Sequence, residues 1–275
     1  MQKRPALVIS TYNSPNLLGI CLSSLSNQSD FEFDVFIADD GSTPETKEKI
    51  ELYRNLLPVS IKHYWHEDRG YNKAEINNEV FRDLKKYPFV ICVDGDTFLH
   101  THFIEDHKNA HRGASNTLFM GRRIDLGPLL TGKVNEENVV DLNRGVSLPL
   151  LISFAKKDTK NFSRAIRMKS SWIRRVLGRD KVNDILGSNF SISTDLLYFI
   201  NGYNEDYKAY WGEDGDLFIR ARNSGASVFG SKSFAIQYHL DHPRLDPSND
   251  HQSRYQNLLN KPDYVRCENG IQKFQ

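Results

Sequence analysis

Three carboxylates, Glu213, Asp214 and Asp216, crowd the stretch YWGEDGD (Tyr210–Asp216), directly before an apolar, helix-like run that stops at Asn223–Gly225. Two physical readings compete. Unpaired N–H groups at a helix start carry partial positive charge, so acids there are stabilising, and Asp214 would be the N-cap. Alternatively, the cluster is functional, which the rest of the chain has to decide. A second acidic pair, Asp94 and Asp96 in VDGDTF, comes after another apolar run. Two such carboxylates can approach one Mg2+ or Mn2+, which completes its shell with substrate phosphates and water. Asp-Gly-Asp is also good turn chemistry. His239 ends a late apolar run, with His242 three residues on. A lone histidine is commonly structural, but imidazole beside carboxylates suits Mn2+ better than Ca2+.

These groups need elements to hold them. ALVIS (Ala6–Ser10), FDVFIA (Phe33–Ala38), IKHYW (Ile61–Trp65) and FVICV (Phe89–Val93) read as short buried strands. Helical stretches start near Pro15, Pro44 and Asn72 between them. Strands alternating with helices imply an α/β fold: a Rossmann-like, mostly parallel sheet with helices on both faces. In such sheets ligands bind beyond the carboxyl ends of the strands. There the sequence places Thr11, Tyr12 and Asn13, then Asp39 and Asp40, then Asp94, Gly95 and Asp96. Further strands are expected at Thr117–Gly121, Gly187–Ser193, Ala226–Gly230 and Phe234–Leu240, with a helix near Leu196.

Composition excludes several classes. The 275 residues are 39% hydrophobic, enough for a real core, and a net charge of +1 carries no sign of nucleic-acid binding. The N-terminal apolar run is too short for a signal peptide, and no apolar window approaches the roughly 18 residues of a membrane span. Cys21, Cys92 and Cys267 are scattered, which fits a reducing, cytoplasmic compartment and no zinc site. Neither GxGxxG after the first strand nor GxxxxGK[ST] occurs, against a dinucleotide enzyme or a P-loop nucleotidase.

The motifs VISTYNSPNLLGICLSSLSNQ, FIADDGSTPET, HEDRGYNKAEINNEVF and FVICVDGDTFLH resemble the N-terminal half of the inverting, nucleotide-sugar-dependent glycosyltransferases of family 2. GSNFSISTDLLYFINGYNEDYKAYWGEDGDLFIRARNSG resembles a C-terminal half shared with β-1,4-galactosyltransferases and chondroitin polymerase. The resemblance implies a GT-A fold and a UDP-sugar donor. By it, Asp40 contacts uracil with Asp39 beside it, Asp94 touches ribose or donor sugar, and Asp94, Asp96 and His239 surround the metal. It also places Thr11, Tyr12, Asn13, Gly95 and Asn189 at the nucleotide-sugar site, and Arg69 and Lys73 as phosphate or uracil contacts. Trp211 and Gly212 line the sugar site, Glu213 holds a hydroxyl, Asp214 is the base, and Asp216 stays a capping residue.

The expected acceptor is a hydroxyl of a glycan or lipid-linked glycan in bacterial-type surface polysaccharide synthesis, and the expected enzyme a hexosyl- or N-acetylhexosaminyltransferase. A sugar nucleotidyltransferase would need a glycine-rich basic loop after the first strand, where this chain has STYNSPN. A non-catalytic carbohydrate-binding module would not need the intact acidic pairs. The expected organisation is a nucleotide-sugar half (1–121), a basic helical insert (122–186), an acceptor half (187–245) and a tail (246–275). Within the insert, residues 156–181 carry ten basic and two acidic side chains, with Phe162, Ile166, Trp172, Ile173, Val176 and Leu177 interleaved. That pattern suits either a helix lying on the anionic inner face of a membrane or a packed insert with a solvated basic face.

Overall fold

Apolar and amphipathic runs alternate from Ala6 onward. The computed structural model, which describes residues 4–181, 186–243 and 246–273, turns the first of them into the elements their periods predict. These are β1 (Ala6–Thr11), α1 (Pro15–Ser23), β2 (Asp34–Asp39), α2 (Pro44–Leu56), β3 (Ile61–Trp65), α3 (Lys73–Arg82) and β4 (Phe89–Asp94). Then come β5 (Thr97–Leu99), α4 (Phe103–Ala110), β6 (Thr117–Met120) and β7 (Arg122–Asp125). Short helices come next: α5 (Pro128–Thr131), α6 (Val139–Leu142), α7 (Leu148–Ala155) and α8 (Ser171–Val176), with a 3-10 turn at Phe162–Ala165. The chain continues through β8 (Asn189–Ser193), α9 (Thr194–Phe199), α10 (Glu213–Asn223), β9 (Ser227–Gly230), β10 (Ile236–His239) and α11 (Asn249–Leu258).

Seven strands form one sheet in the order β3-β2-β1-β4-β8-β6-β9. β1 is parallel to β2 and β4, with Ile9 opposite Ile37 on one side and Val93 on the other. β8 enters antiparallel between β4 and β6. Alternation along β1 explains why Ala6–Ile9 are all apolar. Ala6 and Val8 meet α3 and α9 through Val80, Phe81 and Leu197, while Leu7 and Ile9 meet α1 and α4 through Leu18, Leu22 and Phe103. Burying each such aliphatic or aromatic side chain is worth about 1.5–3 kcal/mol.

A second sheet, β5-β10-β7, was not legible as such in the sequence. Its strands alternate as well. Phe98, Ile124, Ile236 and Tyr238 pack into a third apolar cluster. Thr97, Arg123, Gln237 and His239 are therefore left on the other face, paired in register.

Three expectations are corrected by these elements. The insert is not one helical unit: its first residues are β7, and residues 156–181 break at Lys157 and Asn161, whose φ values are +59° and +60°. The part of the insert at residues 182–185 lies outside the described residues. The cap of α10 is Gly212 (φ +109°), not Asp214, after Trp211 at φ +83°. A Cβ at Gly212 would stand 2.7 Å from the Tyr207 ring, so only glycine fits that left-handed position. Asp216 does not cap either. It is fully buried and accepts from Arg220 Nε at 2.6 Å and from Tyr264 Oη at 3.1 Å.

Candidate active site

The carboxyl ends of β1, β2 and β4 open into a cleft with a cavity volume of about 510 Å3. Thr11, Tyr12, Asp40, Lys73, Asp94, Gly95, Asp96 and His239 all line its wall. Gly95 matters sterically: its N–H donates to the Ser10 carbonyl at 2.8 Å, and a Cβ would come 3.2 Å from that oxygen. The sharp turn from β4 to β5 thus brings Asp96 opposite β10.

At that end of the cleft Asp96, His239 and His242 offer ligand atoms within 4.8 Å of one another. Asp96 Oδ2 lies 2.8 Å from His242 Nε2 and 3.6 Å from His239 Nε2. Burial pushes the Asp96 carboxyl up, but the two imidazoles outweigh it and hold it well below the usual range. Its Oδ1 is buried without a hydrogen-bond partner. An orphaned carboxylate oxygen beside two imidazoles fits a divalent cation of the Mn2+ type. The trio differs from the expected set. His242 stands where Asp94 was expected, and the HxxH spacing at the strand end was the signal for it.

Asp94 turns instead to Lys73, 3.1 Å away. The same ammonium lies 3.7 Å from Glu213 Oε1 and 3.7 Å from Asp214 Oδ2. Burial would lower the Lys73 pKa, yet Asp214, Asp94 and Glu213 around it hold it well above its ordinary value. Lys73 is therefore a fixed cation among three carboxylates. The expected phosphate or uracil contact is not where it points.

Glu213 and Asp214 lie behind Lys73 and Tyr71 rather than in the wall itself. Glu213 is 2% exposed, and burial, then the charge of Asp214, pushes its pKa up to about 7 against the pull of Lys73. Tyr71 Oη donates to Glu213 Oε1 at 2.8 Å, whereas Oε2 has no partner. Tyr203 Oη donates to Asp214 Oδ1 at 2.9 Å. Gly187 clears the space on the other side: a Cβ there would fall 1.7 Å from Asp214 Oδ2. Tyr71, Tyr203 and Gly187 lie inside motifs quoted for the resemblance, but none had been given a role. Arg123 and Tyr210 also line the cleft unforeseen.

Several expected site residues serve the frame. Asp39 accepts from the Ser42 N–H at 2.9 Å and pairs with His63 at 2.9 Å, fixing the turn after β2. Asn13 receives the Thr43 N–H at 2.9 Å and gives its own N–H to Ser42 Oγ at 2.8 Å. Asn189 is wholly buried and donates to the Ala235 carbonyl at 2.9 Å. Arg69 is exposed and pairs with Glu75 at 3.3 Å. Trp211 stacks edge-on against Tyr255, and its carbonyl meets His251 at 2.9 Å. Asp40 faces the cleft with its carboxylate held by the Asn72 N–H and His66, both at 2.8 Å. Burial raises its pKa nonetheless. Tyr12, half-exposed, donates to Asp68 at 2.9 Å.

Comparison with known proteins bears on this geometry. Residues 6–177 match the model of "Glycosyl transferase family 2", and residues 172–243 match "N-terminal domain of galactosyltransferase". Chondroitin synthase of Escherichia coli is 24% identical over 255 residues, 89% of this chain and 36% of that protein. Validoxylamine A glucosyltransferase of Streptomyces hygroscopicus subsp. jinggangensis (strain 5008) is 32% identical over 110 residues, 39% of this chain and 25% of that protein. The chain thus spans 36% or less of the length of these two relatives. TarS 1-349 of S. aureus in complex with UDP superposes with a TM-score of 0.60 at 18% identity, over 93% of this chain and 64% of that one. GalNAc-T7 with UDP, GalNAc and Mn2+ superposes with a TM-score of 0.65 at 12% identity, over 95% of this chain and 49% of that one. A family model spanning residues 6–177 of 275, and GT-A neighbours over almost the whole chain, lead to one conclusion: this chain belongs to glycosyl transferase family 2 and has the GT-A fold.

Proposed function

We propose that the chain transfers a sugar, with inversion, from a UDP-sugar to a hydroxyl of a glycan or lipid-linked glycan. The observation that carries this reading is the segregation of charge around one cleft. Carboxylates without a metal-type partner, Glu213 and Asp214, stand at one side, and the Asp96–His239–His242 trio stands at the other. Inverting transfer needs that division. The acceptor oxygen forms its bond to the anomeric carbon on one face, while the bond to the diphosphate oxygen breaks on the opposite face.

In this reading Asp214 takes the acceptor proton, its carboxylate aimed by Tyr203 and given room by Gly187. Glu213 holds a sugar hydroxyl with its unpartnered Oε2. Asp94 and Lys73 face the transferred sugar, the carboxylate favouring positive charge developing on its ring. Asp40 faces the base, and Tyr12 and Thr11 flank it. Asp96, His239 and His242 would hold a divalent cation, which when bound supplies positive charge against the leaving diphosphate. Residues 1–121 form the nucleotide-sugar half and 187–245 the acceptor and catalytic half, which also lends His239 and His242 to the cation. Three buried free thiols, Cys21, Cys92 and Cys267, support a cytoplasmic site of action.

The names of similar proteins support a UDP donor and a polysaccharide acceptor: a chondroitin synthase and a TarS complex with UDP-GlcNAc. The test is UDP release over a panel of UDP-sugars, each with and without acceptor oligosaccharides. Acceptor-dependent UDP release with formation of the opposite anomer is expected. Release of diphosphate from UTP and a sugar phosphate would assign a nucleotidyltransferase instead.

A further inference from the structure

Helix α8 (Ser171–Val176) buries none of its residues. Trp172 is 71% exposed, Val176 65%, Leu177 56% and Ile173 43%. Four large apolar side chains on one short element are more than scattered surface hydrophobics explain. The element is nevertheless held in place from behind. Ser170 Oγ caps it by accepting the Ile173 N–H. Arg174 turns inward: it donates to the Met168 and Lys169 carbonyls at 2.8 Å each and to Asp180 at 2.9 Å, and it lies 4.3 Å over the Phe234 ring. Arg167 is likewise spent inside, donating to Asp106 Oδ2 at 2.9 Å. The sequence left open a basic helix lying on a membrane or a packed insert with a solvated basic face. The structure instead shows a braced apolar tip.

The charge around that tip is mainly positive, although Lys169 lies 3.7 Å from Glu105. Lys169, Arg175 and Lys181 are exposed, and between Met168 and Lys181 the one acid, Asp180, is already paired with Arg174. Among the described residues no carboxylate lies within ion-pair distance of Arg175 or Lys181. A tip of tryptophan and aliphatics ringed by cations matches the boundary of an anionic bilayer, where the rings and alkyl groups leave water while the cations stay at the headgroups.

We infer that α8 is a membrane-docking tip, inserting Trp172, Ile173, Val176 and Leu177 into an anionic lipid surface, with Arg175, Lys169 and Lys181 at the headgroups. This surface does not depend on the catalytic reading. The experiment is co-sedimentation of the full chain with phosphatidylcholine vesicles and with vesicles containing phosphatidylglycerol, alongside fluorescence quenching by brominated lipid. The chain is expected to pellet on the anionic vesicles at low salt, with tryptophan quenched, and to release as salt rises. Arg175→Glu should weaken partitioning by at least about fivefold, the worth of one surface charge. Trp172→Ser with Val176→Ser should abolish quenching while UDP binding and the melting temperature stay unchanged, because neither side chain packs against the core. Equal pelleting on neutral vesicles would overturn the inference, as would pelleting that the double serine variant leaves intact. So would binding of soluble polyphosphate by a chain that ignores vesicles, which would make the cations a site for an anionic acceptor.

Discussion

One hydroxyl and one glycine decide how Asp214 stands. Tyr203 Oη holds its Oδ1, and the missing side chain of Gly187 leaves room for its Oδ2. Asp214→Asn keeps that shape and removes the charge. It should lower kcat by roughly 10²–10⁴ with UDP-sugar binding preserved, as loss of a positioned general base does; steady-state kinetics beside calorimetric UDP binding check this. If only Glu213→Gln proves severe, the two roles are exchanged. Glu213 also makes a prediction about stability. Its folded pKa is raised from 4.5 to about 7, chiefly by burial. Its proton-linked stabilisation is therefore complete below pH 4.5 and is lost as pH rises to about 7, because the folded state keeps a proton the unfolded chain releases. Glu213→Gln removes that slope. Its melting temperature relative to the parent should climb between pH 5 and pH 8 in buffer scans, and parallel curves would refute the buried-acid account.

Elements, more than residues, determine which expectations survived. β1, β2 and β4 were legible because strands buried on both faces read as unbroken apolar runs, and the residues just past such strands must lie at the sheet edge. That rule put Thr11, Asp40, Asp94 and Asp96 at the sheet edge, where they line the cleft. The small sheet was hidden because β5 and β7 have three and four residues, too few for a period to show. With it went the register that aligns Arg123 beside Gln237 and Thr97 beside His239. Asp39, Asn13 and Asn189 share residue types with the site, yet they pin turns and neighbouring strands. Composition alone does not separate a ligand from a brace. The loop before β8 is the element where this distinction is sharpest. Gly187→Ala should collide with Asp214 without disturbing the core, so activity should fall strongly while circular dichroism and the melting temperature change little. Gly70 has a positive φ (+82°), which Gly187 does not, and no atom lies within 4 Å of a Cβ there. Gly70→Ala therefore separates clearance at Asp214 from backbone strain.

At the scale of the molecule, the Asp96–His239–His242 trio joins the end of the large sheet to the small one. His239 comes from β10 and Asp96 from the turn leaving β4. A cation bound there cross-links two parts of the fold, so occupancy should appear as stability. At about 100 times its dissociation constant, Mn2+ should add about 2.7 kcal/mol. Thermal melts with Mn2+ and with EDTA should differ for the parent and coincide for His242→Ala. EDTA should also stop UDP release, and full activity in metal-free protein would refute the metal reading. The ammonium of Lys73 has a wider consequence. With Asp94, Glu213 and Asp214 around it, the chain already carries its own mimic of the positive charge that sugar transfer develops. A cationic iminosugar inhibitor entering the cleft would have to displace this built-in lysine, whereas a neutral sugar analogue would not. Lys73→Met should accordingly bind such cationic inhibitors more tightly than the parent does, an inversion that competition titration against UDP-sugar would detect.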